Sequence, residues 1–408
     1  MKKQWVVVVL LMSALSRAQE QDAGSLSAEL DAAAAAEPTS AVAPAQNPIV
    51  RAFQSLNPDL SVIVDLAAGI GRETSYSLSG DDPDLMGGPD DQPAGFTVQE
   101  LEFAFSASVD AYFRADVFLA IPNLAGLEVE EAVATTTSLP AGLQVRAGIF
   151  RSAFGRQNGQ HLHVQDFTRR ALINEAYLGA DGLRSPGLQV SWLTPAPFFL
   201  QVTGEAFSVG PPEDFEHLAT FGGGKRTDLT WTGGLKTFFP VTEAVSLFAG
   251  VHAGVGKTAG VGEPRERAGA TSVLESFDLY LKVKPPTGSF SLAWTTEVFL
   301  RQVLARDSTE DGLFDAGFYS QVVVQLTRRW SVGARQDLLG LVQSQVQPMV
   351  SRSALSLTFT ASEFALVRAY VERESLPKGP QLFFEGRPNW AGYLQLQFSF
   401  GAHGGHSF

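Results

Sequence analysis

The chain contains no cysteine. That excludes a disulfide framework, a thiolate-ligated zinc or iron–sulfur site and a thiol nucleophile. Lysine is scarce too: beyond the N-terminal pair Lys2 and Lys3, six remain in 408 residues. With 30 basic residues against 43 acidic ones the formal net charge is −13, which argues against nucleic acid as a partner. Also missing is any run of about 18 consecutive apolar residues beyond the N-terminus, so no spanning helix is expected. What the chain does have is 45% apolar and 10% aromatic residues, too much for a disordered polypeptide. A mean hydropathy near zero fits a soluble protein. It equally fits a β-barrel whose strands alternate lipid-facing and water-facing residues. Strand order and loop length separate the two.

Residues 1–18 read as a secretory signal peptide. Lys2 and Lys3 make a positive start, an apolar stretch runs from Trp5 to Leu15, and Ser16 and Ala18 are the small residues of a cleavage site. The apolar stretch is too short for a membrane span. Removal of Lys2, Lys3 and Arg17 would take the net charge from −13 to −16. Residues 19–50, rich in Ala, Glu, Pro and Ser and without Lys or Arg, read as a flexible acidic periplasmic lead-in. Residues 51–408 are left for a folded domain. A secreted chain without spanning helices enters a membrane only as a closed barrel, because an open sheet edge cannot be satisfied in lipid.

From residue 60 onward the apolar pattern has a period of two. Leu229, Trp231, Gly233, Leu235, Thr237 and Phe239 alternate with Thr230, Thr232, Gly234 and Lys236. Val245, Leu247, Ala249, Val251, Ala253 and Val255 do the same against Ser246, Phe248, Gly250, His252 and Gly254. Successive side chains of a strand point to opposite faces, so each segment has one greasy face and one polar or small one. Strands are expected at 60–71, 96–109, 111–121, 127–138, 142–151, 186–193, 198–208, 228–239, 244–256, 274–284, 289–302, 314–326, 329–338, 351–360, 363–373 and 389–400. The count is even and most have the 9–11 residues or more that a tilted membrane strand needs. The connections alternate short and long. Short turns such as Leu139-Pro140-Ala141, Pro240–Glu243 and Thr327-Arg328 face long links such as 72–95, 152–185 and 209–227. Short periplasmic turns opposite long external loops are the pattern of an outer-membrane barrel. The expected fold is an all-β transmembrane antiparallel up-and-down barrel of about 16 strands with an inward-folded third external loop.

Aromatic residues supply an independent check. In the same phase, lipid-facing rings fall at the periplasmic strand ends (Phe113, Trp192, Phe198, Phe239, Phe290, Trp330, Phe400). A second set falls at the external ends (Phe96, Trp231, Phe277, Trp390). Two bands at interface depth suit amphipathic rings.

The last strand closes on Phe398-Ser399-Phe400 and the chain on Phe408. An alternating final strand ending in Phe resembles the assembly signal of bacterial outer-membrane porins. Residues 143–193 carry a second resemblance. A strand with Gly148-Ile149-Phe150 leads to Phe154-Gly155-Arg156-Gln157-Asn158, then a polar loop with Asp166-Phe167-Thr168-Arg169-Arg170, then Gly187-Leu188-Gln189-Val190-Ser191. This is similar to the phosphate-selective porin O and P family, which implies that the strand leads into a loop folded inside the pore. It also resembles delta-proteobacterial barrels labelled zinc-regulated outer-membrane receptors.

That loop is the candidate constriction, with Arg151, Arg156, Asn158, His161, His163, Asp166, Arg169 and Arg170 as its functional residues. The wall candidates are Arg114, Asp116, Arg146, Glu205, Arg301, Arg335 and Arg368. Fixed charges of both signs across a pore set up a transverse field that sorts solutes by charge and dipole. A net anion filter requires the arginines to be unpaired; tied into wall salt bridges, they would be structural. Too few lysines remain to carry phosphate specificity over from the resemblance.

His161 and His163 would share a face if locally extended and offer two metal ligands, short of the usual three or four. His403 and His406 lie past the last strand. Asp81, Asp82, Asp84, Asp90 and Asp91 in the first external loop suit Ca²⁺ or Mg²⁺ but read more simply as solvated acid. Gly250–Thr258 mimics a phosphate-binding loop, yet its first glycine position holds Val251 and strand alternation runs through it. An enzyme would need a base such as His161 or His163 beside Asp166, and no spacing makes that specific. No catalytic residue and no cofactor is expected.

The leading reading is therefore a passive porin for small hydrophilic solutes, anions among them if arginines stand unpaired. A receptor or binding barrel with a closed lumen, metal-related or not, is the alternative. The partners implied are outer-membrane lipid and lipopolysaccharide, the solutes, the barrel-assembly machinery and a homotrimer, the common assembly of porins this size. The location implied is the outer membrane of a Gram-negative cell.

Overall fold

A computed structural model describes residues 59–71, 95–124, 126–179, 181–210, 220–225, 227–258, 268–306, 311–342, 349–375 and 389–401. The expected signal peptide and lead-in, the expected first loop with Asp81–Asp91, and His403, His406 and Phe408 lie outside them.

Among the described residues sixteen strands follow one another. They are β1 (Asp59–Gly71), β2 (Gly95–Ser108), β3 (Phe113–Pro122), β4 (Glu128–Thr136), β5 (Leu143–Arg151), β6 (Arg184–Leu193), β7 (Phe199–Phe207) and β8 (Thr230–Thr242). The second half holds β9 (Val245–Lys257), β10 (Thr271–Val283), β11 (Ser291–Val303), β12 (Leu313–Gln325), β13 (Trp330–Leu339), β14 (Val350–Ser362), β15 (Ala365–Ser375) and β16 (Asn389–Gly401). Each pairs antiparallel with its sequence neighbours, and β1 pairs with β16 from Ser61 opposite Gly401 to Gly71 opposite Ala391, which closes the sheet. Closure removes every edge, and sixteen strands enclose an interior wider than side chains from the wall alone fill. A helix α1 (Leu172–Leu178) and a 3₁₀ turn at Leu162–Val164 interrupt the link between β5 and β6.

The strands fall within a few residues of the expected positions. The main departure is β8, which runs past Pro240 to Thr242 instead of turning there. Its register shifts between Pro240 and Thr242, so Val241 is an inserted residue. A bulge beside the hairpin is where a sheet tolerates a residue that cannot donate to the ladder. The phosphate-loop mimic is the end of β9, as alternation required.

The barrel is apolar outside and charged inside. Trp231, Phe277, Leu355, Leu394 and their neighbours in phase are exposed, whereas Glu102, Glu297, Arg301, Asp315 and Asp337 are fully buried. All eleven aromatics assigned to the two bands are exposed. This is the reverse of a water-soluble protein and matches a wall standing in lipid.

Two bulges, one on β2 and one on β4 with β3 between them, prepare the site. Register shifts between Asp65 and Leu66 opposite β2, and between Phe118 and Leu119 opposite β4. The extra residues are Gln99 and Glu130, and a bulge turns two consecutive side chains to one side. Gln99 joins Glu100, and Glu130 joins Glu131, on the lumen side; Gln99, Glu130 and Glu131 are buried.

Candidate functional site

The link between β5 and β6 folds into the barrel and is fastened at four places. At its neck, Asn158 donates through Nδ2 to the carbonyls of Ser152 (2.7 Å) and Leu183 (3.2 Å) and accepts from the Leu183 amide at 2.8 Å. One side chain thus ties the two arms of the loop together. Glu205 on β7 accepts from the Ala153 amide at 2.9 Å, from Gln189 at 2.6 Å and from the hydroxyls of Ser152 and Thr232. Across the lumen, Glu297 on β11 accepts from the Arg156 amide at 2.8 Å. Gly155 has φ +69°, and a Cβ there would meet the Glu297 carboxylate, so glycine is needed on both counts.

The far side of the loop is held by charge and by packing. Arg352 on β14 grips Glu175 of α1 with both terminal nitrogens at 3.2 Å, reaches Glu374 at 3.2 Å through Nε, and donates to the Arg170 carbonyl at 3.2 Å. Arg335 donates to the carbonyls of Arg169 (2.8 Å) and Arg170 (3.1 Å) and pairs with Asp337 at 3.1 Å. Arg169 reaches Glu372 at 2.8 Å. Burial works against the Glu175 carboxylate, but Arg352 and Arg169 outweigh it and hold its pKa below the ordinary value. Beneath this layer Phe154, Leu172, Ile173, Tyr177 and Leu178 pack on Leu274, Phe299, Tyr319, Leu339 and Val350 of the wall. Leu274, Phe299, Leu339 and Val350 thus form an apolar patch among the charges on the lumen face of β10–β14. Gly317 leaves room for Ile173, whose Cγ2 would stand 2.7 Å from an added Cβ.

The fourth attachment is the His161–His163 turn. His161 Nδ1 lies 3.0 Å from both Glu102 and Glu130, and its Nε2 lies 3.3 Å from Glu131. His163 Nδ1 lies 3.4 Å from Glu102 and 3.6 Å from Glu100. Arg151 pairs with Glu130, and Arg146 with Glu131 at 3.5 Å. Burial disfavours charge on both imidazoles. Glu130, Glu102 and Glu131 override it at His161, and Glu102 and Glu100 at His163, so both pKa values lie above the ordinary imidazole range.

The eight loop residues singled out in the sequence therefore divide. Arg156, Asp166 and Arg169 retain solvent exposure, while Arg151, Asn158, His161, His163 and Arg170 are buried in attachments. The two histidines sit around a 3₁₀ turn rather than on an extended segment, with ring centroids 5.6 Å apart. Arg156 lies over the Tyr280 ring at 3.9 Å. On the wall, Arg114 pairs with Asp116 at 2.9 Å, Arg301 with Asp315 at 2.5 Å, and Arg368 bonds Gln395 at 3.0 Å and Thr358 at 3.2 Å. His252 bonds Asp278 at 3.2 Å. Sequence reasoning missed Arg352, Glu374, Glu175, Glu102 and Glu131. Strand parity was the available signal for Arg352, Glu374 and Glu102; Glu131 was hidden because the bulge breaks parity.

No protein-family model matches the chain. Among solved structures the fold is similar to an anion-selective porin from Comamonas acidovorans, at TM-score 0.55 and 11% identity over 84% of this chain and 99% of that one. It is also similar to OmpT, an outer membrane protein of Vibrio cholerae. A loop L8 deletion mutant gives TM-score 0.53 at 9% identity, and a trimer form gives 0.53 at 10%, each over 84% of this chain and 99% of that one. In sequence, an uncharacterized protein of Aquifex aeolicus is 31% identical over 389 residues, which is 86% of this chain and 80% of the relative. The chain belongs to the same family as this Aquifex protein, and its fold is the sixteen-stranded barrel of porins.

Proposed function

We propose that the protein is a channel of a Gram-negative outer membrane, giving passive diffusion of small hydrophilic solutes through a lumen narrowed by the loop between β5 and β6. The observation that carries this reading is the loop itself, fastened at four places inside a barrel of porin fold. The exposed apolar exterior and its two aromatic bands support placement in lipid, with lipopolysaccharide outside. The layout is a signal peptide at 1–18, a periplasmic lead-in at 19–50 and the barrel from 51, delivered by the barrel-assembly machinery. The trimer form of OmpT supports trimeric assembly here as well.

Selectivity follows from which charges are neutralised. Arg151, Arg169, Arg301, Arg335 and Arg352 each have carboxylate partners, which argues against a phosphate filter of the porin O and P kind. Arg156, Lys236 and Lys282 stand on the part of the interior that keeps solvent exposure, with Arg156 and Lys282 acting across it on Asp166. The balance favours small anions modestly. Planar-bilayer recording of purified protein tests both points. Open single-channel steps are expected, with a reversal potential in asymmetric salt on the anion side that moves toward cations in Arg156→Glu. Folded protein that never opens would favour a closed receptor barrel instead.

A further inference from the structure

We infer that Glu102, His161 and His163, with Glu130 alongside, form a binding site for a divalent first-row transition ion that fastens the inward loop to the β2–β4 wall. The inference concerns binding, so it stands whether or not the barrel conducts.

Donor atoms of Glu102, His161 and His163 lie within 4.8 Å of one another, and all three residues are buried. A tetrahedral ion with ligand bonds of about 2.0–2.1 Å sets its donors about 3.3 Å apart. Here Glu102 Oε2 lies 3.0 Å from His161 Nδ1 and 3.4 Å from His163 Nδ1, and Glu130 Oε2 lies 3.0 Å from His161 Nδ1. Those are edges of one such polyhedron.

The donor set selects the ion. Two imidazoles and two carboxylates suit Zn²⁺, Co²⁺ or Ni²⁺; Ca²⁺ and Mg²⁺ prefer oxygen alone, and Cu(I) prefers sulfur. The surroundings also suit a dication. Glu100 and Glu131 stand behind the ligands, Arg151 and Arg146 partner Glu130 and Glu131, and Glu102 faces both imidazoles. Glu131 and Glu100 beside the imidazoles orient them and raise their basicity, while Arg151 and Arg146 hold Glu130 and Glu131 in place. The bulge at Glu130 matters, because it puts two adjacent carboxylates on the lumen side where regular alternation would offer one. Access comes from the exposed Gly159 and half-buried Gln160 just before His161.

The test uses the untagged full chain, folded in detergent and stripped with chelator. Zn²⁺ competition against a chromophoric chelator should give one tight site per chain, and Co²⁺ should give the intense visible bands of four-coordinate nitrogen–oxygen ligation. His161→Ala with His163→Ala, and separately Glu102→Gln, should weaken binding by at least about 100-fold. His403→Ala with His406→Ala should leave it unchanged. Zinc-edge absorption on the unaltered protein needs no variant and should show two imidazoles in the shell. Absence of a tight site, a shell of oxygens alone, or equal affinity in the folded His161→Ala, His163→Ala variant would each overturn the assignment and leave ion pairs only.

Discussion

Replacing Arg352 by methionine tests whether the inward loop is held by the wall. Arg352 is 1% exposed and joins α1 to β14 and β15: two bonds of 3.2 Å to Glu175, one to Glu374, one to the Arg170 carbonyl. Methionine keeps much of the volume and removes the guanidinium, which leaves Glu175, Glu372 and Glu374 facing Arg169. Removing one partner of a buried ion pair costs about 3–5 kcal/mol. The barrel ladder is untouched, so the cost falls on docking of the loop. Each 1.4 kcal/mol is tenfold, so the undocked population should rise by about two to three and a half orders of magnitude. The assay is amide hydrogen exchange over Leu172–Leu178 with β13 and β14 as internal references. Exchange in α1 should accelerate by that factor while the strands stay protected. Pairing Arg352→Met with Glu175→Leu should recover part of the loss, since two apolar groups replace a stranded charge. Unchanged protection of α1 in the single variant, or equal loosening of β13 and β14, would refute the reasoning.

Asn158→Ala removes three bonds across the loop neck and takes their Asn158 partner from the Leu183 amide and the Ser152 carbonyl, while the Leu183 carbonyl keeps its bond from the Ser152 amide. A cost of about 2–4 kcal/mol is expected, at roughly 1 kcal/mol per bond plus desolvation. Protease cleavage within 152–183 of the folded barrel would report it. Ile173→Ala should cost a similar amount, about 2–5 kcal/mol, because the side chain is fully buried against the wall. Thermal release of the loop, read by the same cleavage, checks it. Acid should also free the loop. The Glu175 pKa is depressed in the docked state, so its contribution is present above the ordinary value of about 4.5 and is lost as pH falls through the depressed one. Cleavage should rise in that window, and Glu175→Gln should flatten the dependence.

The sixteen strands were legible because a lipid-facing wall imposes strict alternation, and because short and long connections mark the two rims. Of the wall arginines named from parity, Arg301, Arg335 and Arg368 are buried. Parity failed at bulges: Glu131 and Gln99 join the lumen side through an inserted residue that no local pattern announced. It also said nothing of partners. Arg301 and Asp315 are 14 residues apart, but Arg352 and Glu175 are 177 apart, and strand phase assigns a side without a neighbour. Asn158 looked like a pore residue because it is polar in a polar loop. Its amide is consumed by the backbone of the loop neck.

Sequence alone determined the barrel, its number of strands and the loop that enters it, since these follow from local alternation and from connection length. Tertiary structure decided what the loop's charges do. Folding across the lumen brings His161 and His163 to four glutamates of β2 and β4, and brings α1 to Arg352. Burial then converts most of a basic loop into paired, structural charge. Which charges remain open to solute depends on contacts between residues far apart in the chain, and periodicity carries no information about those.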